Sequence, residues 1–100
     1  MGSILNTITR VGTNASENML PLFRFRLNKG QSIGPAELRN IWRDACGAQE
    51  VTVARTSSGG VFLYSLGAPQ RLMRSEGIEG RLRALLAVSL PHATIDLFRI

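Results

Sequence analysis

Hydrophobic residues change their spacing several times after residue 20, and each spacing predicts an element of secondary structure. Apolar residues at every second position predict strands, whereas apolar residues at intervals of three and four predict helices. The predicted elements are a strand at 22–27, a helix at 35–46, strands at 50–55 and 61–66 around a Ser/Gly-rich turn, a helix at about 76–90, and a strand at 94–100.

This order is β-α-β-β-α-β, the split-βαβ or ferredoxin-like arrangement. We therefore expect an α+β domain over residues 21–100, with a four-stranded antiparallel sheet and both helices on one face. The other face would be open to a partner. A winged helix is the alternative topology, but no clear set of three helices precedes the hairpin. The ferredoxin-like fold hosts many unrelated functions, so it does not identify a chemistry.

Residues 1–20 differ from the rest of the chain and predict a short N-terminal arm. Ile4, Leu5, Ile8 and Val11 would form one apolar stripe on a helix, although the β-branched residues at 7–9 also suit a strand. Small, polar, turn-forming residues at 12–18 indicate a linker. A segment this short does not fold alone. It would pack on its own domain or dock on another subunit or partner.

The first strand predicts a clear division between the two faces of the sheet. Phe23, Phe25 and Leu27 share one face, which we expect to meet the helices, while Leu22, Arg24 and Arg26 share the other. In the third strand, Val61 and Leu63 alternate with Phe62, Tyr64 and Leu66. We expect Val61 and Leu63 to face the helices, which places Phe62, Tyr64 and Leu66 on the open face. In the first helix, Trp42 lies within an apolar stripe and is predicted to be core.

Composition indicates one globular domain with a basic surface. The chain has 100 residues, 44% of them hydrophobic, and a net charge of +5. A basic protein is attracted to phosphate backbones, anionic membranes or acidic proteins. Eleven of its cations are arginines scattered along the sequence, a distribution that genome composition would also produce.

Few residues offer catalytic or metal-binding chemistry. One cysteine and one histidine exclude a disulfide framework, a Cys-based zinc site and a two-histidine metal site. Cys46 is predicted at a helix C-terminus, where the helix dipole opposes a thiolate, so a structural role is favoured. There is no phosphate-binding glycine loop and no nucleophile elbow. We expect no catalytic residues, no cofactor and no metal. Without a membrane-length apolar run or a secretory signal, we also expect a cytoplasmic protein.

These patterns favour a non-enzymatic protein-binding, assembly or inhibitor module, of the kind that phages and mobile elements encode. Its partner would be another protein or a second copy, giving a homo-oligomer, with contacts through the open face, the strand edges and the arm. Binding of single-stranded nucleic acid, RNA in particular, is the alternative, because aromatic rings beside cations stack bases. The predicted binding residues are Arg24, Arg26, Phe62 and Tyr64 for either partner, joined by Ile4, Leu5 and Ile8 of the arm.

Overall fold

The structure is a computed structural model that describes residues 18–72 and 76–100. Its elements are β1 (Met19–Leu27), α1 (Pro35–Cys46), β2 (Thr52–Ser58), β3 (Val61–Pro69), a 3-10 turn (Gln70–Leu72), α2 (Ile78–Ser89) and β4 (Ile95–Arg99). The strands form one antiparallel sheet in the order β2-β3-β1-β4. The expected α+β class, with a four-stranded antiparallel sheet and two helices, is confirmed. The predicted arm residues Ile4, Leu5 and Ile8 lie outside the described residues.

The central strand β1 begins earlier than the hydrophobic pattern predicts. Met19 pairs with Pro69, so it belongs to the sheet together with Leu20, although both were assigned to the arm. The register shifts between Pro21 and Phe23. Pro21 pairs with Gly67 before this shift, at a non-bonded position, because the N–H of Gln70 bonds to the carbonyl of Asn18 and bonded pairs alternate along the ladder. Its missing amide hydrogen therefore breaks no bond to β3, and the register shift that follows interrupts the alternation of the strand without ending it.

Helix α1 has the predicted bounds, and the residues at its two ends explain why it begins and ends there. Pro35 occupies the first turn, where its missing amide hydrogen costs nothing. Gly47 ends the helix in the left-handed region with φ 70°, and its N–H donates to the carbonyl of Arg43 at 2.8 Å. Trp42 is completely buried and packs edge-on against Phe23, with ring centroids 5.9 Å apart. The prediction that Trp42 belongs to the core is confirmed.

The hairpin between β2 and β3 is tighter than its sequence suggests. Only Gly59 and Gly60 form the turn, with φ values of 61° and 83°. Positive φ at both positions is typical of a type I′ turn, which matches the twist of the flanking strands. Residues 56–58, predicted to be part of the loop, therefore continue β2 and pair with residues 61–63.

One hydrophobic core joins the helices to a single face of the sheet. Phe23, Phe25 and Leu27 are buried as predicted, and the arginines between them are exposed. The prediction that Leu22 shares the exposed face with these arginines is wrong, because Leu22 lies at the register shift of β1 and is buried in the core. The remaining buried residues of the cluster are Leu22, Ile33, Leu38, Ile41, Trp42, Ala45, Cys46, Val51, Val53, Tyr64, Leu66, Ala68, Ile78, Leu82, Leu86 and Leu97. Because α1 and α2 also pack against each other, they cover this face together, and no described helix covers the other.

Candidate interaction surface

Two rows of side chains cross the sheet face that no described helix covers. The register of the strands aligns Thr56, Leu63, Arg26 and Asp96 in the first row, and Ala54, Ser65, Arg24 and Phe98 in the second. We call these eight side chains the open face. Each row runs from β2 through β3 and β1 to β4, so neighbours within a row come from different parts of the chain. Directly opposite residues on paired strands have Cβ atoms about 4.5–5.5 Å apart, close enough for their side chains to interact.

The first row ends in an ion pair. Arg26 donates from Nη2 to Oδ2 of Asp96 across β1 and β4 at 3.0 Å. Both side chains remain more than half exposed, at 53% and 61%. Exposed pairs of this kind contribute only about 0–1 kcal/mol. The pair is therefore better understood as fixing the charge pattern of the surface than as holding the sheet together.

The second row places a cation beside an exposed aromatic ring. Arg24 lies between Ser65 and Phe98, and none of the described residues forms an ion pair with it. Phe98 is 39% exposed and lies on an edge strand. Arginine and aromatic side chains are enriched at protein interfaces, where they supply much of the binding energy. Arg24 and Phe98 are therefore the strongest candidates on this face.

The predicted position of Tyr64 on the open face is wrong. Tyr64 is 1% exposed, lies on the helix-covered face and stacks on Phe25 with ring centroids 4.7 Å apart. Its hydroxyl accepts a hydrogen bond from the backbone N–H of Ile33 at 3.0 Å, so its polar atom is satisfied inside the core. Leu66, predicted on the same open face, is also fully buried. Burial of these large side chains on the helix side turns Leu63 to the opposite side.

Phe62 likewise lies on the helix-covered face, where it is half-buried. The guanidinium carbon of Arg55 lies 4.4 Å from its ring centroid, a cation–π contact within β2 and β3. Of the residues predicted to form a binding surface, the sheet thus brings Arg24 and Arg26 together and places Phe62 and Tyr64 on the other side. The expected platform of two rings beside two arginines does not form.

Sequence reasoning missed Asp96 and Phe98, although the last strand contained a usable signal. Ile95 and Leu97 alternate with them, so once Leu97 is assigned to the core, Asp96 and Phe98 must face the other way. Leu97 is indeed only 7% exposed. The pairing of Phe98 with Arg24, in contrast, depends on the register of β4 against β1, which the pattern of one strand does not contain.

Two side chains with reactive chemistry, Cys46 and His92, lie outside this surface. Cys46 is a buried free thiol at the C-terminus of α1, and burial raises the pKa of this thiol. A neutral, enclosed thiol is a poor nucleophile. His92 is exposed in the loop before β4. Within residues 18–72 and 76–100, no group of three or more His, Cys, Asp or Glu side chains is placed to hold a metal ion.

Comparisons with known proteins do not assign this chain to a family. No family model matches its sequence, and no significant match is found among curated proteins or solved structures. None of the helices in the described part of the chain is long and apolar enough to cross a membrane.

Proposed function

We propose that this protein is a non-enzymatic protein-binding module, serving as an assembly factor or inhibitor. Its binding surfaces are the open face, the strand edges and the N-terminal arm. We further propose that its fold is ferredoxin-like, an assignment supported by the order β-α-β-β-α-β and by helices that pack together on one sheet face. In this fold the helix-free face is a broad surface on which a partner can lie.

The observation that carries the proposal is the Arg24–Phe98 pair. An exposed phenyl ring beside a cation without an ionic partner among the described residues provides an apolar anchor and a charge for recognition. Ile100, 56% exposed, follows Phe98 at the end of the sheet and extends the apolar area. The Arg26–Asp96 pair in the neighbouring row adds charged groups. Aromatic anchors beside arginine and other polar groups are common in protein interfaces.

The test compares two exposed apolar residues on different surfaces. Phe98→Ala alters the open face, and Val88→Ala alters α2, where Val88 is 79% exposed. Tagged wild-type protein and both variants are used for affinity capture from the native host, and light scattering after size exclusion measures self-association. We expect capture or self-association that Phe98→Ala abolishes and Val88→Ala preserves. Wild-type protein that remains monomeric and retains no protein contradicts the proposal.

Binding of single-stranded nucleic acid is the alternative function. It is supported by the net charge of +5 and by the Arg24–Phe98 pair, which offers one ring for base stacking beside a cation. With Phe62 and Tyr64 on the other face, it has fewer stacking groups than the sequence suggested. Titration of labelled oligonucleotides at two salt concentrations tests it, because phosphate contacts make affinity fall with salt. Salt-dependent binding that Phe98→Ala weakens favours this alternative.

A further inference from the structure

The two edges of the sheet are protected to different degrees. At β4, the N–H of Ile100 donates to the carbonyl of Leu22 at 3.0 Å. Along an antiparallel strand, residues whose N–H and C=O groups bond to the neighbouring strand alternate with residues whose groups point away from it. Because Ile100 bonds to β1, the backbone groups of Leu97, three residues earlier, point away from β1, toward the outside of the sheet. Nη2 of Arg83, on α2, donates to the carbonyl of Leu97 at 3.2 Å. A side chain thus occupies this edge.

The edge at β2 has no such protection among the described residues. Ser58 and Val61 flank the two-residue type I′ turn, so they form hydrogen bonds with each other. Because hydrogen-bonded and non-hydrogen-bonded pairs alternate along the ladder, the N–H and C=O groups of Val53, Arg55 and Ser57 point outward, away from β3. No described residue forms a hydrogen bond with these groups. Strand β2 also contains neither proline nor lysine, which commonly block edges. Residues 55–58 of β2 are exposed whereas Val53 is only 5% exposed, so the open ladder on which another strand can pair is formed by Arg55 and Ser57.

Arg55, at the middle of this edge, determines which strand fits. Its exposed guanidinium lies over the ring of Phe62, and no described residue forms an ion pair with it. A strand that pairs with β2 places one residue directly opposite Arg55, where an opposite charge stabilises and a like charge destabilises. Antiparallel pairing of two copies centred on Arg55 would oppose two arginines. The charge therefore favours a foreign strand with a carboxylate over a second copy.

We propose that the outer edge of β2 binds an extended segment of a partner protein by strand addition, with Asp or Glu opposite Arg55. The exposed backbone of Arg55 and Ser57 supplies the hydrogen bonds, and Arg55 supplies the selectivity. On the open face the new strand meets the small, uncharged side chains of Ala54 and Thr56. This inference rests on the proposed protein-binding function and adds to it the edge that is used and the chemistry of the partner.

The test uses the full chain and two blocked peptides, Thr-Val-Thr-Glu-Thr-Val-Thr and its counterpart with Lys in place of Glu. Binding is followed by amide chemical shifts of ¹⁵N-labelled protein. We expect the Glu peptide to shift the amides of Arg55 and Ser57 and to bind about fivefold or more tightly than the Lys peptide, from the cross-strand charge difference. Arg55→Glu should reverse this preference. Equal binding of both peptides, binding elsewhere or no binding overturns the proposal.

A second pair of variants tests the backbone bonds. Ser57→Pro removes an outward-facing N–H while leaving the ladder to β3 intact, and Ser57→Ala is the matched control. We expect the proline variant to lose the Glu peptide and the alanine variant to retain it, with amide spectra showing both folded. If instead wild-type protein is a dimer that Ser57→Pro dissociates, the edge of β2 binds a second copy, and the proposal of an acidic partner strand is wrong. If peptide binding to β2 is not observed but partner capture still depends on Phe98, the strand-addition proposal is wrong and the proposed protein-binding function is retained.

Discussion

Tyr64 of β3 and Phe25 of β1 stack nearly parallel across the centre of the sheet, with ring centroids 4.7 Å apart and an interplanar angle of 11°. This contact fixes which face of β3 is buried. The hydroxyl of Tyr64 also accepts the N–H of Ile33, so it attaches the loop before α1 to the core. One side chain therefore sets both the orientation of a strand and the entry to a helix.

We expect Tyr64→Phe to destabilise the protein by about 1–3 kcal/mol, because the buried N–H of Ile33 would lose its acceptor. The aromatic stack would remain, so the variant isolates the hydrogen bond. Urea unfolding at constant m-value provides the measurement. Ser65→Ala, at the next position on the open face, is the control and should change stability by less than about 0.5 kcal/mol. Comparable stability of Tyr64→Phe and wild type would mean that the hydroxyl is not needed in the core.

The error at β3 shows where the sequence stops being sufficient. For β1 and α1 the pattern fixes the buried side, because their other sides carry arginines and other polar residues. β3 is apolar on both faces, so its orientation follows from the volume of the core and from the partner that Ile33 provides for Tyr64. Both requirements arise from contacts between elements distant in sequence. For the same reason Arg24 could be assigned to the surface from the sequence, but its pairing with Phe98 could not.

Gly67, near the end of β3, lies where neighbouring atoms leave no space for a side chain. A Cβ at this position would overlap Oγ1 of Thr52 and come within 3.1 Å of the carbonyl of Leu20. Its own carbonyl accepts the indole N–H of Trp42 at 2.7 Å, so the backbone has little freedom to move away. We expect Gly67→Ala to destabilise by about 1–3 kcal/mol through overpacking.

A double-mutant cycle assigns the cause of this loss. In a Thr52→Ala background the overlapping hydroxyl is gone, so Gly67→Ala should cost less than it does in wild type. The coupling is obtained from the unfolding free energies of the four proteins. Equal costs in both backgrounds would show that Thr52 is not the obstacle and would point to the Leu20 backbone instead.

The buried thiol of Cys46 should make the folded protein less stable at alkaline pH. Burial raises the pKa of this thiol above its ordinary value of 9.0, so the folded state retains the proton longer than the unfolded state. Its contribution is complete below the pKa of the unfolded thiol and disappears as pH rises from there through the folded pKa. We expect the stability of wild type to decrease between pH 8 and pH 10 by more than that of Cys46→Ala, as measured by urea unfolding. Parallel pH profiles of the two proteins would show that the thiol ionises equally well in the folded state.

Adjacent residues of β4 provide the most direct test of the open face. Leu97 is 7% exposed and belongs to the core, whereas Phe98 is 39% exposed beside Arg24. Leu97→Ala should therefore cost about 2–5 kcal/mol through lost burial and a cavity. Phe98→Ala should cost less than about 1 kcal/mol, since much of its ring already contacts water. Thermal and urea unfolding of both variants compare the two sides of one strand. A Phe98→Ala cost as large as that of Leu97→Ala would mean that the ring is enclosed by the protein itself, and the surface proposed for a partner would already be occupied.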